Sequence, residues 1–389
     1  MRILLVGDAN SIFFVHYVNA LKKAMDVEVH VYSPFPSTGD YSSYPYDYVY
    51  FDDYELKKYS RIRFVSWLYN PYLMRIRFAK FLKKNGIKYD IIHFKWIIPA
   101  WVICSKSFRQ YADKICLTIW GGELEYQQLL RSHRYYLSKL GKFIKSADVV
   151  VGPMANQTFF EIFPFAKPIS RNAIYGSTII DKLSQMTETK GDCKAVLGIA
   201  TDKITVALGY SGKTLHNHDK ILKEIVNRDG FKDIVGKLHF IFPMSRSFDA
   251  AYCDGLEDVL KQNGCSYTMI KSYMADDDVA CLRKATDVLF QLSDFDNLSG
   301  SILESLCANT LLISGDWFPS YHVLKKAGFK YLEVQNREEA VDCLYKVIGN
   351  FDYYRDFVKN NKDIAALKQS WPECIKEWIG VYKELCPAS

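Results

Sequence analysis

The chain has 389 residues, of which 49% are hydrophobic and 24% are charged. This composition excludes an intrinsically disordered chain, and the length suits two domains of ordinary size better than one. The formal net charge of +6 is compatible with an anionic ligand or an anionic membrane surface, and it is too small to indicate nucleic-acid binding.

Apolar runs rich in β-branched and aromatic residues alternate with longer amphipathic segments through the first half of the chain. This alternation is typical of βα units and a parallel sheet. The predicted strands lie at 2–7, 27–32, 47–51, 90–94, 114–119 and 147–151. The predicted helices between them include 11–24, 73–85 and 130–145.

The alternation weakens near residue 168, and the polar segment 183–194 is typical of a linker. Further strands are predicted at 203–208, 237–242, 266–270, 287–291 and 311–314, and further helices at 216–228, 249–263, 276–285, 298–307, 351–369 and 371–385. The sequence therefore predicts an α/β fold with two Rossmann-like, doubly wound domains facing a central cleft, over 1–182 and 195–360. Helices over 361–389 are expected to pack back toward the first domain.

Ligands of open α/β sheets bind beyond the carboxyl ends of the strands, where helix N-termini point. Residues 209–214, Gly-Tyr-Ser-Gly-Lys-Thr, follow a predicted strand in this way. Gly209, Ser211 and Gly212 are candidates for binding a phosphate, which Lys213 would neutralise. A P-loop requires glycine six residues before the lysine, where Ala207 stands, so a P-loop and a plain structural turn both remain as alternatives.

A second group of polar residues follows the predicted strand 287–291. Asp296 lies in the loop and Glu304 lies on the next helix, where they could bind the hydroxyls of a donor sugar and a ribose. Amides at the helix start would cradle a diphosphate. The donor-binding candidates of this group are Asn297, Ser299, Gly300, Ser301 and Glu304. Alternatively, Asp296 or Ser299 only caps the helix and Glu304 is solvated.

A third group, Trp120-Gly121-Gly122-Glu123, follows a strand of the first domain. The glycine pair between an aromatic ring and an acid would let a sugar approach, and Glu123 would act as a base or bind acceptor hydroxyls. Gly7 and Asn10, after the first strand, are further acceptor-side candidates. A plain βα turn with an acid near the helix start would explain the same residues.

These segments together resemble the GT-B glycosyltransferases, and the second domain resembles glycosyltransferase family 4. In that family two acids separated by seven residues contact the donor sugar and the nucleotide. Asp296 and Glu304 keep this spacing, with Asp in place of the usual first Glu. Residues 303–313 resemble the family's next helix, turn and strand, with Asn309 replacing the usual Gly, and 90–93 (Asp-Ile-Ile-His) resembles a recurrent strand of its first domain.

A second resemblance is to glycosyltransferase family 56, the N-acetylfucosaminyl (Fuc4NAc) transferases that extend a lipid-linked glycan. The shared patches are Gly209-x-Ser211-Gly212 followed by Asn217-His218, Pro243-Met244 after a strand, and Trp120-Gly121 with an acid two places on. Family 4 retains the anomeric configuration and family 56 is regarded as inverting, so the stereochemistry stays open. The two acids of the second domain favour retention.

The resemblance implies a hexosyl or related glycosyltransferase that uses a nucleotide-sugar donor and neither a metal nor a cofactor. Its acceptor would be a glycan or undecaprenyl-linked glycan of a bacterial surface polysaccharide, such as an O-antigen or capsule. Without a metal, Lys213 and Arg246 would stabilise the departing nucleoside diphosphate. Asp296 and Glu123 complete the set of candidate catalytic residues.

Residues 58–84 interleave lysine and arginine with tryptophan, tyrosine and phenylalanine. This suits docking on an anionic bilayer, although the aromatic residues of an ordinary amphipathic helix would fill the core instead. The ten cysteines include no C-x-x-C pair, and the N-terminus runs into a strand without a signal-peptide core. We therefore expect a cytoplasmic protein, peripheral on the inner face of the plasma membrane if the basic segment docks.

Two other classes of protein remain as alternatives. A sugar-nucleotide epimerase of the same double-domain type would release a modified sugar and need no acceptor, and a P-loop-like protein would bind a nucleotide through residues 209–214. A periplasmic binding protein also has two α/β lobes, but it needs an export signal.

Overall fold

The computed structural model describes residues 1–39, 41–52, 63–102, 108–120, 133–152, 157–296 and 298–387. The chain divides into two compact units: unit 1 is Met1–Gly176 with Trp371–Ser389, and unit 2 is Ser177–Ser370. The chain thus leaves unit 1 after Gly176 and returns to it at Trp371. The sequence prediction places its domain boundaries at 182, 195 and 361.

The described part of unit 1 contains a parallel sheet of seven strands in the order β3-β2-β1-β4-β5-β6-β7. The strands are β1 (Arg2–Val6), β2 (Glu28–Ser33), β3 (Tyr48–Phe51), β4 (Tyr89–Phe94), β5 (Ala112–Thr118), β6 (Val149–Val151) and β7 (Ser170–Arg171). Successive side chains of a strand point to opposite faces. Accordingly, Leu4 and Val6 of β1 pack in one core, and Ile3 and Leu5 pack in the core on the other face.

Within its described residues, unit 2 contains a parallel sheet of six strands in the order β10-β9-β8-β11-β12-β13. The strands are β8 (Ile204–Leu208), β9 (Leu238–Pro243), β10 (Tyr267–Ile270), β11 (Val288–Gln291), β12 (Leu311–Gly315) and β13 (Leu332–Val334). This sheet also separates two cores, with Val206 and Leu208 of β8 in one and Ala207 in the other. The predicted α/β architecture with two parallel sheets is confirmed.

Helices precede and follow the strands in both units. In the described ranges they are α1 (Ile12–Ala24), α2 (Arg63–Asn85), α3 (Pro99–Val102), α4 (His133–Lys145), α5 (Gln157–Ile162), α6 (Thr178–Gln185), α7 (Lys190–Val196), α8 (His218–Val226), α9 (Phe231–Ile234), α10 (Ala250–Gln262), α11 (Asp276–Ala285), α12 (Gly300–Cys307), α13 (His322–Ala327), α14 (Arg337–Gly349), α15 (Phe351–Phe357), α16 (Asn361–Gln369) and α17 (Trp371–Leu385). The segment predicted as one helix over 351–369 is two helices, α15 and α16.

The prediction of a linker over 183–194 is wrong, because most of this segment lies in α6 and α7. Thr189 and Asp192 form a capping box that starts α7, with the Thr189 side chain accepting from the Asp192 amide. Lys190 and Lys194 on α7 both bind Asp287, at 2.8 and 2.7 Å. The polar residues of the segment therefore cap and anchor a helix of unit 2.

The C-terminal helix α17 is an integral part of unit 1. Its residues Trp371, Trp378 and Tyr382 are buried in one of the two cores of that unit. The Tyr382 hydroxyl lies 2.6 Å from the Tyr17 hydroxyl on α1 and 2.7 Å from Nδ1 of His93 on β4. These buried hydrogen bonds fix the position of the helix on the sheet.

The described helices include none that is both long enough and apolar enough to cross a membrane. In α2, the side chains of Phe78 and Phe81 are buried in the unit 1 core, and Arg77 forms an ion pair with the buried Asp52. These two aromatic residues of segment 58–84 therefore fill the core, as the alternative to membrane docking predicted. Tyr72 on the same helix is 51% exposed.

We predict that Gly176→Ala destabilises the protein, because a Cβ atom there would lie 2.7 Å from the backbone N and Cα of Trp371. The first residue of α17 would have to move, at an expected cost of about 1–3 kcal/mol in the free energy of unfolding. The matched control is Gly255→Ala in α10, where a Cβ atom would meet nothing within 4 Å. Calorimetric melting of both variants measures the difference; equal melting temperatures would contradict the prediction.

Candidate functional site

Three loops of unit 2 carry the residues that the sequence assigned to donor binding. They follow β8, β9 and β11, which are neighbours in the sheet. Because the strands are parallel, their carboxyl ends lie at the same edge. The structure therefore brings residues 209–213, Arg246 and residues 296–304 to one edge of unit 2. Asn297 lies outside the described residues.

Gly209, in the loop after β8, has a backbone conformation and close neighbours that both require glycine. Gly209 has φ +68°, and a Cβ atom there would lie 2.9 Å from Cγ of His216 and 3.0 Å from Nε2 of His218. Its N–H donates to the carbonyl of Phe290 at 3.0 Å. Gly209 thus packs β8 against two histidine rings, and the phosphate approach expected from sequence stays a prediction.

The second glycine joins two loops of the site. A Cβ atom at Gly212 would lie 2.8 Å from the carbonyl oxygen of Met244 and 2.9 Å from that of Arg246. The Gly212 N–H donates to the Arg246 carbonyl at 2.8 Å, so this amide is engaged within the protein. The contact places the exposed residues Lys213 and Arg246 on adjoining loops. The two predicted cations therefore share one part of the edge.

Asp296 is buried and held by two tyrosines that the sequence did not suggest. Its carboxylate accepts from the Tyr210 hydroxyl at 3.0 Å and from the Tyr321 hydroxyl. Burial, with the nearby charge of Asp296, raises the pKa of Tyr210 to about 12 and that of Tyr321 well above its ordinary value. Both tyrosines are therefore hydrogen-bond donors at neutral pH. Asp296 is not the N-cap of the next helix, since Ser299 occupies that position.

Two neutral histidines follow: His216 packs against Tyr210, and His218 lies beside His216 with 5.6 Å between ring centroids. Ser211 Oγ is 2.9 Å from Nε2 of His216, and the ring of Tyr210 packs edge-on against the imidazole, with 4.5 Å between centroids. Burial lowers the pKa of His216 to about 4 and that of His218 to about 3. Both imidazoles are therefore uncharged at neutral pH, and neither was identified from the sequence as a site residue.

Several buried polar atoms in this region have no hydrogen-bonding partner among the described residues. They are Nδ1 of His216, Nε2 of His218, Oε1 of Gln291 and Oγ of Ser299. Gln291 lies beside His216 and Tyr321, and Ser299 lies beside Tyr210. Because buried polar groups are normally hydrogen-bonded, these atoms are available to one another and to a polar ligand or water.

Glu304 is buried on α12 and is not a solvated helix residue. Oε2 of its carboxylate accepts from Nε and Nη2 of Arg283, each at 3.2 Å. Oε1 accepts from the Ser177 hydroxyl at 3.1 Å. Ser299 is the N-cap of α12 by position, but its side chain makes no capping hydrogen bond. The amides of Ser299, Gly300 and Ser301 lie at the start of this helix, as the sequence predicted.

In unit 1, the acceptor-side candidates Gly7 and Asn10 pack against α1 and the segment after β2. A Cβ atom at Gly7 would lie 2.7 Å from the ring of Phe14. The Asn10 side chain donates to the Pro36 carbonyl at 3.1 Å and accepts from the Thr38 amide at 3.2 Å. Their positions after β1 thus depend on local packing.

Trp120 is fixed at the end of β5 while much of its ring stays accessible. Its indole N–H donates to the Lys95 carbonyl at 2.5 Å, and its ring packs on Tyr175 with 4.8 Å between centroids. The side chain is 43% exposed. Gly121, Gly122 and Glu123 lie outside the described residues, so the expected roles of these three stay predictions.

Lys95 is a buried residue at the same edge that the sequence analysis missed. Its ammonium nitrogen lies 3.4 Å from the ring centroid of Tyr17 and 3.6 Å from that of Trp378. Burial lowers its pKa well below the ordinary value for lysine. No local motif marked it, because the rings that enclose it come from α1 and α17.

Among the described residues, no group of three or more histidine, cysteine, aspartate or glutamate side chains could hold a metal ion. The nine cysteines that the structure describes are free thiols.

Residues 2–145 match the family model described as Glycosyl transferase 4-like. No curated protein matches the chain in sequence. The comparisons thus support the resemblance to family 4 and give no support to the features shared with family 56.

Solved structures match both units of the chain. Sucrose-phosphate synthase from Thermosynechococcus elongatus is 14% identical, with a TM-score of 0.71 and 100% of each chain covered. A glycosyltransferase from Rickettsia africae is 14% identical, with a TM-score of 0.67, 100% of this chain and 99% of that chain covered. HepE from Anabaena in complex with UDP is 11% identical, with a TM-score of 0.68, 99% of this chain and 100% of that chain covered. The chain has the GT-B fold.

We predict that Arg283→Met destabilises the protein by about 3–5 kcal/mol, because it leaves the Glu304 carboxylate buried without its cation. Both side chains of this pair are only about a tenth exposed, at 10% and 11%. Adding Glu304→Gln should recover much of the loss by removing the uncompensated charge. The control is Lys325→Met: Lys325 is 58% exposed and its partner Glu333 is 27% exposed, so loss of this lysine should cost less than about 1 kcal/mol. Chemical unfolding measures the free energy of unfolding of each variant. A loss in Arg283→Met no larger than that in the control would refute the prediction.

Proposed function

We propose that the chain is a glycosyltransferase that takes a sugar from a nucleotide donor bound at the carboxyl edge of the unit 2 sheet. The observation that carries the proposal is the convergence of two exposed cations, Lys213 and Arg246, with the buried acid Asp296 on three neighbouring loops. The second buried acid, Glu304, lies on α12, the helix that follows the third loop. The GT-B fold and the glycosyl transferase 4-like segment support it. So do the UDP and UDP-glucose complexes of HepE from Anabaena, a protein of the same fold.

In this proposal Lys213 and Arg246 stabilise the negative charge that builds on the departing nucleoside diphosphate. The Gly212–Arg246 hydrogen bond holds their two loops together before a donor binds. Fixed charges of this kind need no reorganisation during the reaction. The amides of Ser299 to Ser301 at the start of α12 supply further donors and the positive end of the helix dipole. The mechanism requires no metal ion.

The two acids are proposed to bind sugar hydroxyls from positions fixed by protein donors. A carboxylate oxygen has two lone-pair sites, so accepting one protein hydrogen bond leaves room for another. Oε1 of Glu304 accepts from Ser177 and could also accept from a ribose hydroxyl. Asp296, with Asn297 beside it in sequence, is assigned to the donor sugar. The spacing of the two acids favours retention of configuration.

We place the acceptor on unit 1, over Gly7, Asn10 and residues 120–123, with Glu123 as base or acceptor ligand. The exposed ring of Trp120, fixed by its hydrogen bond to Lys95, would offer an apolar face to a sugar. We further propose that the acceptor is a glycan or undecaprenyl-linked glycan of a bacterial surface polysaccharide. A lipid-linked acceptor would account for the basic helix α2 in the acceptor-binding unit.

We predict that Lys213→Ala lowers kcat/KM for the donor by about ten- to one-hundred-and-fifty-fold, the effect of one lost charge-assisted bond of about 1.5–3 kcal/mol. The Lys213 side chain is exposed, so the variant should fold normally.

In the wild-type protein, one of UDP, GDP and dTDP at 100 times its Kd should add about 2.7 kcal/mol to the free energy of unfolding. Thermal-shift and nucleoside diphosphate release assays measure the two effects.

The matched control for that experiment is Lys223→Ala, another exposed lysine of unit 2 on α8. It should keep both nucleotide binding and turnover. Full turnover by Lys213→Ala would remove the proposed role of this lysine. Formation of a modified nucleotide sugar without an acceptor, and without release of nucleoside diphosphate, would instead identify an epimerase.

We predict that the protein sediments with vesicles containing anionic lipid and not with neutral vesicles, because exposed cations of α2 recur on one side of the helix. A surface lysine contributes about 1 kcal/mol near such a membrane. Binding should fall strongly in a triple variant that reverses three exposed lysines of α2: Lys80→Glu, Lys83→Glu and Lys84→Glu. The control reverses three exposed lysines of unit 2: Lys223→Glu, Lys232→Glu and Lys237→Glu. If both variants lose vesicle binding equally, the effect is one of net charge alone. If the wild-type protein does not sediment with anionic vesicles, docking is excluded.

A further inference from the structure

We propose that the donor sugar is an uncharged, hydroxyl-bearing sugar and that the side chains around Asp296 discriminate against hexuronic acids. This inference rests on the proposed function, since it names the class of sugar bound at that site. The side chains concerned, named the Asp296 cluster, are Tyr210, Ser211, His216, Gln291, Asp296, Ser299 and Tyr321.

The Asp296 cluster has a formal charge of −1 at neutral pH. The charge is that of Asp296, while Ser211, Gln291 and Ser299 have no ionisable group. His216 is neutral because burial lowers its pKa to about 4, and Tyr210 keeps its proton because its pKa is raised to about 12. A second carboxylate brought against this cluster would be repelled in a region from which water is largely excluded.

The cluster also needs donors rather than further acceptors. Both oxygens of the Asp296 carboxylate are acceptors only, and Oε1 of Gln291 is a further buried acceptor. Each hydroxyl of a neutral sugar can donate to such an oxygen. The carboxylate of a uronic acid has no proton to donate at neutral pH. Hydrogen bonding and charge therefore select the same class of sugar.

Arg283, a buried cation near the Asp296 cluster, is already paired with Glu304. Arg283 lies close enough to Tyr210 for its charge to influence that hydroxyl, but its Nε and Nη2 both donate to Glu304. Releasing it would leave Glu304 buried without a partner. Lys213, which lies near His216, and Arg246 on the adjoining loop are exposed, and both are assigned to the diphosphate.

The experiment compares matched pairs of nucleotide sugars that differ only in the oxidation of one carbon. The pairs are UDP-glucose with UDP-glucuronate, GDP-mannose with GDP-mannuronate, and dTDP-glucose with dTDP-glucuronate. Calorimetric titration first identifies which of UDP, GDP and dTDP binds, and the corresponding pair is then titrated. We expect the neutral member to bind at least tenfold more tightly. Equal or tighter binding of the uronate overturns the inference while the proposed function stands; if none of the three nucleotides binds, both fall.

A charge-removing variant tests whether Asp296 is the cause. Asp296→Asn should reduce the preference for the neutral sugar at least threefold and leave the affinity for the bare nucleoside diphosphate within twofold. The control is Asp294→Asn, the same change on the same loop at an exposed aspartate that pairs with Arg337; it should keep the full preference. If Asp296→Asn also keeps the full preference for the neutral sugar, the charge of Asp296 is not its cause. If that variant does not fold, the matched-pair titration of wild type decides alone.

Discussion

A carboxylate that leaves water loses several kcal/mol of hydration unless hydrogen-bond donors replace that water. Unit 2 buries two such groups, and the donors for them come from distant parts of the chain. Tyr210 and Tyr321 donate to Asp296 from the loop after β8 and from the turn before α13. Arg283 and Ser177 donate to Glu304 from α11 and from the start of α6. Satisfying these two acids therefore fixes the loops at the carboxyl edge of the sheet, and the shape of the candidate site follows from it.

The glycine-rich loop contributes to the same rigidity. Gly209 and Gly212 allow the chain to pack against His216, His218 and the carbonyls that follow β9, contacts that any side chain would obstruct. The loop is thus ordered by protein contacts, and its lysine projects from a fixed base. For a reaction in which charge builds on a leaving group, a cation held in place contributes more than one that must be recruited.

Most strands were predictable because a buried parallel strand is a short apolar run, and both ends of every predicted strand lie within two residues of those of an observed strand. The short strands β7 and β13 were not predicted, since their two and three residues do not form such a run. The loop positions of Lys213, Arg246 and Asp296 followed from the same pattern. Tyr321 was not predictable, since it meets Asp296 across 25 residues and belongs to an unremarkable turn. Segment 183–194 was misassigned because its lysines anchor to Asp287, almost a hundred residues away in sequence, and composition alone does not distinguish a buried ion pair from a solvated linker.

Unit 2 is an insertion within unit 1, and its two ends meet: the amide of Ser177 donates to the carbonyl of Gln369 at 2.9 Å. On the ribosome, all strands of unit 2 emerge before α17, whose Trp378 and Tyr382 complete one core of unit 1. Unit 2, second in sequence, is therefore the first able to finish folding. Until α17 is synthesised, the face of the nascent N-terminal sheet that it shares with α1 stays partly uncovered, and in this interval the new chain exposes apolar surface that favours aggregation.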